Sequence, residues 1–359
     1  MSYRETDPTA RSMRIAIFLP SWIGDAAMAT PALRAVRQHY GSQAQLIGVA
    51  RTYVESVLAG NQHLDDWISY QPHLRGRWSL VKRLRRTKID LALLLSNSLS
   101  TALLAWCSGA HRRIGFARHW RSPLLTDRLH APRLGHTYQP RSAVDHYLDV
   151  ARAVGCPIKS RRLELTTTPR DERLADQVWQ HPGLRTAAQV VVLNTGSANG
   201  SAKSWPLMSF AELAVKLVRQ RNVACLVICG PGERVAAEEV VQRAAHPRVT
   251  GLDRWPLGIG LSKACIRRGD CVVTTDSGPR HLAAAFGVPS IALFGPTDPR
   301  WSHNYHDRET ILSEHPDCGP CGQSRCPLHH HRCMRDLSVD RVLNATLHQL
   351  DQVRRRRSA

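Results

Sequence analysis

Residues 270–281 of this chain read Asp270-Cys-Val-Val-Thr-Thr-Asp-Ser-Gly-Pro-Arg-His281, and Leu282-Ala-Ala-Ala285 follows directly. The apolar and β-branched run over 270–275 predicts a buried strand, and the alanine-rich run predicts a helix. Between them, hydroxyl groups and a glycine stand where the helix begins, and the free backbone N–H groups at such a point bind phosphate well. This segment therefore predicts an α/β fold in which a strand-to-helix turn holds an anionic ligand.

Two side chains of this turn also have a purely structural interpretation. Asp276 taken alone suits a helix N-cap, and His281 taken alone suits a histidine packed inside a helix. Their occurrence together directly after a strand favours phosphate binding.

The same alternation of strand and helix continues on both sides of the turn. In the second half of the chain, further strands are predicted at 189–194, 224–229 and 290–294. In the first half, strands are predicted at 14–20, 45–50, 89–95 and 113–116, with helices at 26–40, 78–88 and 143–154. Alternation of this kind forms parallel sheets covered by helices on both faces. The predicted fold class is α/β, with two doubly wound, Rossmann-like domains facing a central cleft.

A polar segment at residues 157–185 separates the two halves, and the chain exceeds the size at which a single core usually keeps growing. We place the first domain at residues 13–170 and the second at 171–353, with an insert rich in cysteine and histidine at 315–334. The second domain is predicted to close with a helix at 339–353. The four arginines at 354–357 are predicted to form a frayed, solvated tail.

The chain is strongly basic, with 49 Lys and Arg residues against 29 Asp and Glu residues and a net charge of +20. Such a field favours an acidic partner, which could be a phosphorylated substrate, an anionic membrane surface or nucleic acid. Residues 1–12 contain no apolar segment like that of a signal peptide, so we expect a cytoplasmic protein. Ser, Thr and Asn residues interrupt the uncharged segment 91–110, which favours a buried strand and a buried helix over a membrane span.

Three other predicted strand-to-helix turns each carry one charged side chain. Asp25, which ends Pro20-Ser-Trp-Ile-Gly-Asp25, is either a functional carboxylate or an acid favoured at a helix N-terminus. Lys203 ends a loop of small residues that is either a phosphate site or a flexible surface loop. Glu233, in Gly230-Pro-Gly-Glu233, either accepts hydrogen bonds from a ribose or belongs to an ordinary turn.

The insert contains the segment Cys318-Gly-Pro-Cys-Gly-Gln-Ser-Arg-Cys-Pro-Leu-His-His-His-Arg-Cys333. Structural zinc is commonly held in a tetrahedron of such side chains, often beginning with a Cys-x2-Cys pair. The predicted ligands are Cys318, Cys321, Cys326 and Cys333, with His331 as an alternative. Free thiols and an iron–sulfur cluster are the other interpretations of this segment.

Together the turns resemble those of the lipopolysaccharide heptosyltransferases, which are family 9 glycosyltransferases of GT-B architecture. The resemblance covers residues 13–353 in order and spacing, and it is closest to the heptosyltransferase II branch. The matching segments are Pro20-Ser-Trp-Ile-Gly-Asp25, Ser96-Asn-Ser98, Ala202-Lys-Ser-Trp-Pro206, Thr275-Asp-Ser-Gly278 with His281, and Ala292-Leu-Phe-Gly-Pro-Thr297.

The resemblance implies an inverting transferase that moves a heptose from ADP-heptose, a nucleotide-sugar donor, to the lipid A-linked inner core of lipopolysaccharide. Asp25 would be the general base. The donor and its phosphates would be bound by Lys203, Glu233, Thr275, Asp276, Ser277, Gly278 and His281. No Asp-x-Asp triplet occurs in the sequence, so a metal-bridged diphosphate site is not apparent, and no cofactor is expected for catalysis beyond a possible structural zinc.

The acceptor in this family is anionic, which gives the positive charge of the chain a specific use. Its candidate contacts are Asn97, Arg112, Arg113, Arg118 and Arg121. These arginines and the helix at 78–88 could also meet the inner membrane from the cytoplasmic side, and a solvated basic face is the alternative. We expect a monomer whose two domains close to bring base, acceptor hydroxyl and anomeric carbon together.

Three other functions are compatible with parts of the sequence. A family 9 transferase with another nucleotide sugar or acceptor would carry the same turns. A basic, zinc-containing nucleic-acid-binding protein would explain the charge but not the paired turns, and we therefore expect no nucleic-acid partner. A non-catalytic nucleotide-binding protein would keep the phosphate turn but would have no use for a base.

Overall fold

The computed structural model describes residues 12–196 and 200–358. The predicted leading segment, residues 1–12, lies outside the described residues except for Ser12. Residues 197–199, in the loop before Lys203, also lie outside them.

The N-terminal domain is built on one parallel sheet. Its strands are β1 (Met13–Phe18), β2 (Ala44–Arg51), β3 (Asp66–Tyr70), β4 (Leu91–Leu94), β5 (Arg112–Phe116) and β6 (Asp127–Leu129). Their order across the sheet is β3-β2-β1-β4-β5-β6. The helices of this domain are α1 (Ile23–Met28), α2 (Thr30–Tyr40), α3 (Thr52–Leu58), α4 (Leu74–Thr87), α5 (Leu99–Cys107) and α6 (Ala143–Arg152). A short antiparallel hairpin follows the sheet, formed by β7 (Arg133–Leu134) and β8 (Thr137–Tyr138).

The C-terminal domain repeats this plan. Its strands are β9 (Gln189–Asn194), β10 (Val223–Ile228), β11 (Val249–Gly251), β12 (Cys271–Thr275), β13 (Ser290–Phe294) and β14 (Glu309–Ser313). Its helices are α7 (Pro169–Trp179), α8 (Pro182–Arg185), α9 (Leu207–Gln220), α10 (Arg234–Ala244), α11 (Ile259–Arg268), α12 (Gly278–Phe286), α13 (Arg332–Arg335) and α14 (Val339–Ser358). The strand order is β11-β10-β9-β12-β13-β14.

In both sheets the order of the strands reverses at a topological switch point. This point lies between β1 and β4 in the first sheet and between β9 and β12 in the second. Ligands of doubly wound sheets bind outside the carboxyl ends of the strands at this point. The turns after β1, β9 and β12 are the ones that carry Asp25, Lys203 and Asp276. The predicted pair of Rossmann-like domains is therefore confirmed, and the topology brings the predicted turns to the two switch points.

Central strands of the second sheet are buried at every residue, including all of β9, β10, β12 and β13. Helices on both faces of a parallel sheet exclude water from both sides of each strand, which explains the continuous apolar runs. These strands were therefore predicted to within a residue or two. The edge strand β3 was missed because its sequence, Asp66-Trp-Ile-Ser-Tyr70, is short and half polar, and only Ile68 is buried.

Two predictions about helices were wrong. The single helix expected at 26–40 is two helices, because α1 ends at Met28 and α2 begins at Thr30 with Pro31 in its first turn. The segment 157–185 is not simply a linker, since α7 begins within it at a capping box formed by Thr168 and Asp171. The predicted division between residues 170 and 171 lies inside α7, which packs against the C-terminal domain.

The arginine-rich tail also differs from the prediction, because it is helical and not frayed. Helix α14 continues through the four arginines to Ser358. Arg357 forms an ion pair with the buried carboxylate of Asp270, with Nη1 2.7 Å from Oδ1. Basic side chains are favourable in the last turn of a helix, where the macrodipole is negative. Ion pairing and the dipole together extend the helix where sequence predicted fraying.

Among the described residues, no helix is both long enough and apolar enough to cross a bilayer. The uncharged segment 91–110 forms β4 and α5, which matches the predicted strand and helix. The helix is not buried on all sides, however. Leu99, Leu103 and Trp106 are exposed on α5.

Polar contacts join the two domains at several points. Lys263 of α11 is fully buried and donates from Nζ to Val57 O at 3.0 Å, at the end of α3, and to Thr166 O at 2.9 Å. Tyr305 in the C-terminal domain donates its hydroxyl to Asp145 of α6. The two domains therefore face each other across a cleft that is already narrowed by direct contacts.

Candidate functional site

The predicted phosphate turn lies between β12 and α12, at the switch point of the C-terminal sheet. Asn194, at the end of the neighbouring strand β9, donates from Nδ2 to the hydroxyls of Thr274 and Ser277 at 3.0 Å each. Thr275 donates its hydroxyl to Gly196 O at 3.2 Å. The Ser277 side chain does not cap α12. The first N–H groups of the helix are thus held in a fixed turn and remain suited to an anion.

Lys203 lies against this turn and is held by Asp276. Its Nζ is 2.8 Å from Asp276 Oδ2, and the same carboxylate accepts hydrogen bonds from Thr297 Oγ1 at 2.8 Å and from Ser302 Oγ at 3.0 Å. Burial alone would raise the pKa of Asp276, but the charge and hydrogen bond of Lys203 and the charge of Arg280 lower it to about 2. Asp276 is therefore an ionised anchor that positions Lys203 and shapes the turn.

Behind the turn, Arg280 is completely buried and paired with Glu309. Its Nε and Nη2 lie 2.8 Å and 2.6 Å from the two carboxylate oxygens of Glu309. Its Nη1 donates to Ser302 O at 2.9 Å. Hydrogen bonds therefore occupy both edges of the planar guanidinium. Because bidentate pairs fix geometry as well as charge, Arg280 is a rigid support for the turn in front of it.

Replacing Glu309 with Ala is expected to destabilise the protein by about 3–5 kcal/mol, because it removes the bidentate partner of the buried Arg280 and leaves it only the more distant Asp276 carboxylate, at 3.5 Å. Urea unfolding followed by circular dichroism measures the change. The matched control is Asp340→Ala, which breaks an exposed pair with Lys216 and should change stability by at most about 1 kcal/mol. Equal stability losses in the two variants would contradict the prediction.

Asp25 lies in the first turn of α1, directly after β1. Tyr147 of α6 donates its hydroxyl to Asp25 Oδ1 at 2.9 Å. Burial raises the pKa of Asp25, and the negative charge of Asp276 raises it further. The Tyr147 hydrogen bond and the positive charge of Lys203 lower it, but the net effect is a raised pKa. A carboxylate with a raised pKa is a stronger base than an exposed one, and its electrostatic coupling to Asp276 and Lys203 means that it faces the phosphate turn.

The two walls of the cleft are in contact where α1 meets α12. A Cβ added at Gly24 would lie 2.6 Å from His281 Cδ2 and 3.5 Å from Gly278 Cα, so only glycine allows this approach. Burial, and then the charge of Arg280, lower the pKa of His281 to about 3. Its buried Nδ1 has no hydrogen-bond partner among the described residues. The structure therefore places His281 in the packing between the walls.

A pocket on the N-terminal side of the cleft contains Asp25 and Tyr147. Asn97 and Arg118, both predicted acceptor residues, line the same pocket. Arg141 lines it as well, although no sequence pattern singled it out. A basic and amide-lined pocket around a carboxylate suits an anionic, hydroxyl-bearing ligand.

The other predicted acceptor residues lie elsewhere, which corrects the expectation. Arg112 and Arg113 stand at the N-terminal end of β5, opposite the ligand-binding edge of the sheet, and Arg112 pairs with Asp127 at 2.8 Å. Arg121 is fully buried and donates from Nη2 to Asn97 Oδ1 at 3.0 Å. Arg121 therefore positions Asn97 rather than meeting a ligand.

A second pocket lies on the C-terminal side of the cleft and is lined by Glu233, Thr195, Gly196 and Trp205. The Glu233 carboxylate fills the space that a side chain at position 196 would need. Its Oε2 accepts the Gly230 N–H at 2.8 Å. Glu233 thus holds the turn after β10 and also presents a carboxylate to the pocket.

The cysteine-rich insert forms part of this second pocket. His331 and Arg335 line it together with Glu233. Ala202 N–H donates to Ser324 O at 3.2 Å, which ties the insert to the residue preceding Lys203. The insert therefore supports the C-terminal side of the cleft, a role that the sequence did not indicate.

The four cysteines of the insert line one small cavity together with His330. Cys318 Sγ is 3.8 Å from His330 Nε2, whereas His331 lines the second pocket, so the histidine beside the thiols is His330 and not the predicted His331. Within the described parts of the chain, no three His, Cys, Asp or Glu side chains are gathered closely enough to hold a metal ion. The predicted ligands share a cavity without forming a preassembled metal site.

Besides Arg141, three residues of the site were missed in the sequence. Asn194 could have been found, because a polar residue at the end of an apolar strand is expected at a switch point. Tyr147 and Arg335 had no local signal, since they reach the cleft from helices that are distant in sequence from the turns they contact.

Comparison with known proteins identifies the family to which this chain is similar. The sequence model of glycosyltransferase family 9 (heptosyltransferase) matches residues 77–331. Lipooligosaccharide heptosyltransferase 2 of Campylobacter jejuni serotype O:2 is 27% identical over 339 residues, covering 92% of this chain and 96% of that protein. Lipopolysaccharide heptosyltransferase 2 of Escherichia coli is 24% identical over 347 residues, covering 92% and 97%.

The fold agrees with a solved structure of the same class. The structure of E. coli ADP-heptose lps heptosyltransferase II superposes with a TM-score of 0.78 at 22% identity, covering 95% of this chain and 99% of that one. The family model spans well over half of the chain and includes the turns that carry Lys203 and Asp276. The chain therefore belongs to glycosyltransferase family 9, the heptosyltransferase family, and is a glycosyltransferase.

Proposed function

We propose that this enzyme transfers a heptose from ADP-heptose to the lipid A-linked inner core of lipopolysaccharide, as a monomer and with inversion at the anomeric carbon. One observation carries the proposal: Asp25 lies on one wall of the cleft, and the ion pair of Lys203 and Asp276 lies on the other wall. A base and an anion site on facing walls suit attack by a hydroxyl on a carbon that bears a diphosphate. The relatives named above are heptosyltransferases of lipooligosaccharide and lipopolysaccharide.

In the proposed reaction, an acceptor hydroxyl oxygen attacks the anomeric carbon as the bond to the diphosphate oxygen breaks. Asp25 takes the hydroxyl proton, and ADP leaves with the electron pair of the broken bond. The hydroxyl would enter through the pocket that Asn97, Arg118 and Asp25 line. One pocket contains Asp25 and the other contains Glu233, so the acceptor and the donor nucleoside would occupy separate pockets.

Negative charge that develops on the leaving diphosphate would be stabilised by Lys203 and by the first N–H groups of α12. Contacts within the protein position both groups, because Asp276 fixes the ammonium and Asn194 fixes the turn. Thr275, Ser277 and Gly278 form the backbone of this site. The donor nucleoside would occupy the second pocket, where Glu233 can accept hydrogen bonds from ribose hydroxyls and Arg335 can contact the nucleotide.

Replacing Tyr147 with Phe is expected to move the acidic limb of the activity profile to higher pH by about 1 to 2 units. The Asp25 base works only when ionised, so activity is lost as pH falls through its pKa. That pKa is already raised by burial, and the Tyr147 hydrogen bond opposes the rise. Removing the hydroxyl raises the pKa further.

The measurement is kcat/KM across pH for the wild type and the variant, with Tyr40→Phe as a control far from Asp25. Recovery of near wild-type turnover at high pH supports the assignment of the base. A variant with an unshifted profile and uniformly lower activity would show that Tyr147 has only a packing role.

The function is tested by incubating the purified chain with ADP-heptose and truncated lipid A-core saccharide and reading the product by mass spectrometry. Addition of one heptose is the expected result. The second candidate, a family 9 transferase of other specificity, is tested in the same experiment with other nucleotide sugars and acceptors. Transfer from a different donor, with none from ADP-heptose, would overturn the proposed donor and keep the reaction class.

We also propose that the insert binds one structural zinc ion through Cys318, Cys321, Cys326 and Cys333. Their common cavity and the Cys-x2-Cys spacing support the proposal, and binding would require the thiols to move closer together. Because the insert contacts the Lys203 loop, such a site would stabilise the donor side without taking part in the reaction.

Elemental analysis of purified protein tests this proposal, with about one zinc per chain expected. Cys321→Ser should lose the metal, whereas Cys107→Ser, outside the insert, should keep it. Iron in place of zinc, or no bound metal in the wild type, would reject the zinc assignment.

A further inference from the structure

The outer side of α5 presents an apolar surface to solvent. Leu99, Leu103 and Trp106 are 47%, 47% and 54% exposed, and their spacing of four and three residues places them on one face of the helix. The sequence of α5, Leu-Ser-Thr-Ala-Leu-Leu-Ala-Trp-Cys, contains no charged residue. Exposed large side chains in a contiguous row indicate an interaction surface.

Helix α4 lies beside α5 and continues this surface. The two helices share a core on one face of the N-terminal sheet, and Arg85 Nε donates to Cys107 O at 2.7 Å. Leu74 and Trp78 are 75% and 74% exposed, and Lys82 and Arg86 follow at the same four-residue spacing. The helix therefore exposes apolar groups near its start and basic groups near its end.

The charge of α4 is entirely positive. Its sequence, Leu-Arg-Gly-Arg-Trp-Ser-Leu-Val-Lys-Arg-Leu-Arg-Arg-Thr, includes arginines and a lysine but no acidic residue. A surface that combines exposed Trp and Leu side chains with a run of basic groups matches the two requirements of the lipid–water interface, which are insertion of apolar groups and attraction to anionic headgroups.

We propose that this surface, the α4–α5 face (Leu74, Trp78, Lys82, Arg86, Leu99, Leu103 and Trp106), binds the surface of an anionic lipid bilayer. Trp and Leu side chains would enter the headgroup region, while the basic side chains contact lipid phosphates. Charge complementarity selects this occupant over a second copy of the chain, because two such faces would bring like charges together.

The position of the α4–α5 face relative to the cleft gives the binding a use. Helix α5 begins two residues after Asn97, which lines the pocket of Asp25. Trp120, 93% exposed, lies two residues after Arg118 of the same pocket. A chain seated on the bilayer by this face would have its acceptor pocket next to the headgroups. This use rests on the proposed function, since it assumes a lipid-linked acceptor, but bilayer binding itself needs no substrate.

Flotation of the full chain with vesicles tests the proposal. Vesicles of phosphatidylcholine alone are compared with vesicles that contain one third phosphatidylglycerol. We expect the wild type to float with the anionic vesicles and not with the neutral ones, and higher salt should weaken the binding because it screens the headgroup charge. The double variants Leu103→Ser/Trp106→Ser and Lys82→Ser/Arg86→Ser are each expected to bind about tenfold more weakly.

Matched controls carry the same kinds of change on the other domain. Met208→Ser/Val235→Ser removes two exposed apolar side chains, and Arg185→Ser/Arg219→Ser removes two exposed charges. Both should float like the wild type. Circular dichroism of each variant confirms that it is folded.

Wild type that stays with neither kind of vesicle, or Leu103→Ser/Trp106→Ser that floats unchanged, would overturn the proposal. A wild-type dimer in sedimentation that becomes monomeric in this variant would assign the face to a second copy instead. Transfer to a soluble, deacylated acceptor is measured in parallel and should be unchanged in the variants. Loss of transfer in the wild type with intact flotation would therefore count against the proposed function alone.

Discussion

Replacing Asp25 with Asn is expected to lower kcat for sugar transfer by about 10²- to 10⁴-fold, which is the usual contribution of a positioned general base. The amide keeps the size of the side chain and can still accept the Tyr147 hydrogen bond, so the cleft should keep its shape. It cannot take a proton from the acceptor hydroxyl. The measurement is single-turnover transfer from ADP-heptose at saturating acceptor.

The same variant should bind ADP as tightly as the wild type in calorimetry, because Asp25 lies on the wall opposite the phosphate turn. Asp127→Asn, which alters an exposed carboxylate at the far end of the sheet, is the control and should transfer normally. Full turnover in the Asp25 variant would assign the proton to another group. Loss of ADP binding would instead show that Asp25 shapes the donor site.

Replacing Lys203 with Ala is expected to lower kcat by about 10²- to 10³-fold, as removal of a preorganised group at a developing anion does in other enzymes. The ammonium is held 2.8 Å from Asp276, next to the start of α12. Its loss removes the charge that would meet the leaving diphosphate. It also leaves the buried carboxylate of Asp276 without its main cation.

Two further variants separate these effects. Lys203→Arg keeps the charge and should recover part of the rate, although its planar head fits the Asp276 site less well. Lys216→Ala removes a lysine that also pairs with carboxylates, but on the surface, and should leave transfer unchanged. If Lys203→Ala changed only the KM for the donor, Lys203 would bind the ground state without stabilising the transition state.

Much of the fold could be read from the sequence because its strands are buried on both faces. Strands β9 and β13 have the predicted bounds, and each contains a run of four apolar residues, 190–193 and 291–294, that is buried throughout. Edge strand β3 and helix α7 escaped this signal. Their residues are half polar, since one side of each meets solvent.

The candidate site was likewise predicted only in part from the sequence. Asp25, Lys203 and Asp276 were found because each lies in the connection between a strand and the next helix or at the start of that helix, and the topology of a doubly wound sheet brings such connections to one edge. Arg112 and Arg113 were selected on charge alone, which carries no information about the end of the strand on which a residue lies. The structure places them away from the pocket.

By itself the sequence determined two parallel sheets and the turns that carry Asp25, Lys203 and Asp276, because burial patterns and strand-to-helix turns are local properties of the chain. Only the tertiary structure decided that Tyr147 donates a hydrogen bond to Asp25, that Asn194 fixes the turn between β12 and α12, and that the cysteine-rich insert lines the second pocket. It likewise decided that Asp276 anchors Lys203. These relations join residues distant in sequence, and they exist only once packing has brought their elements together.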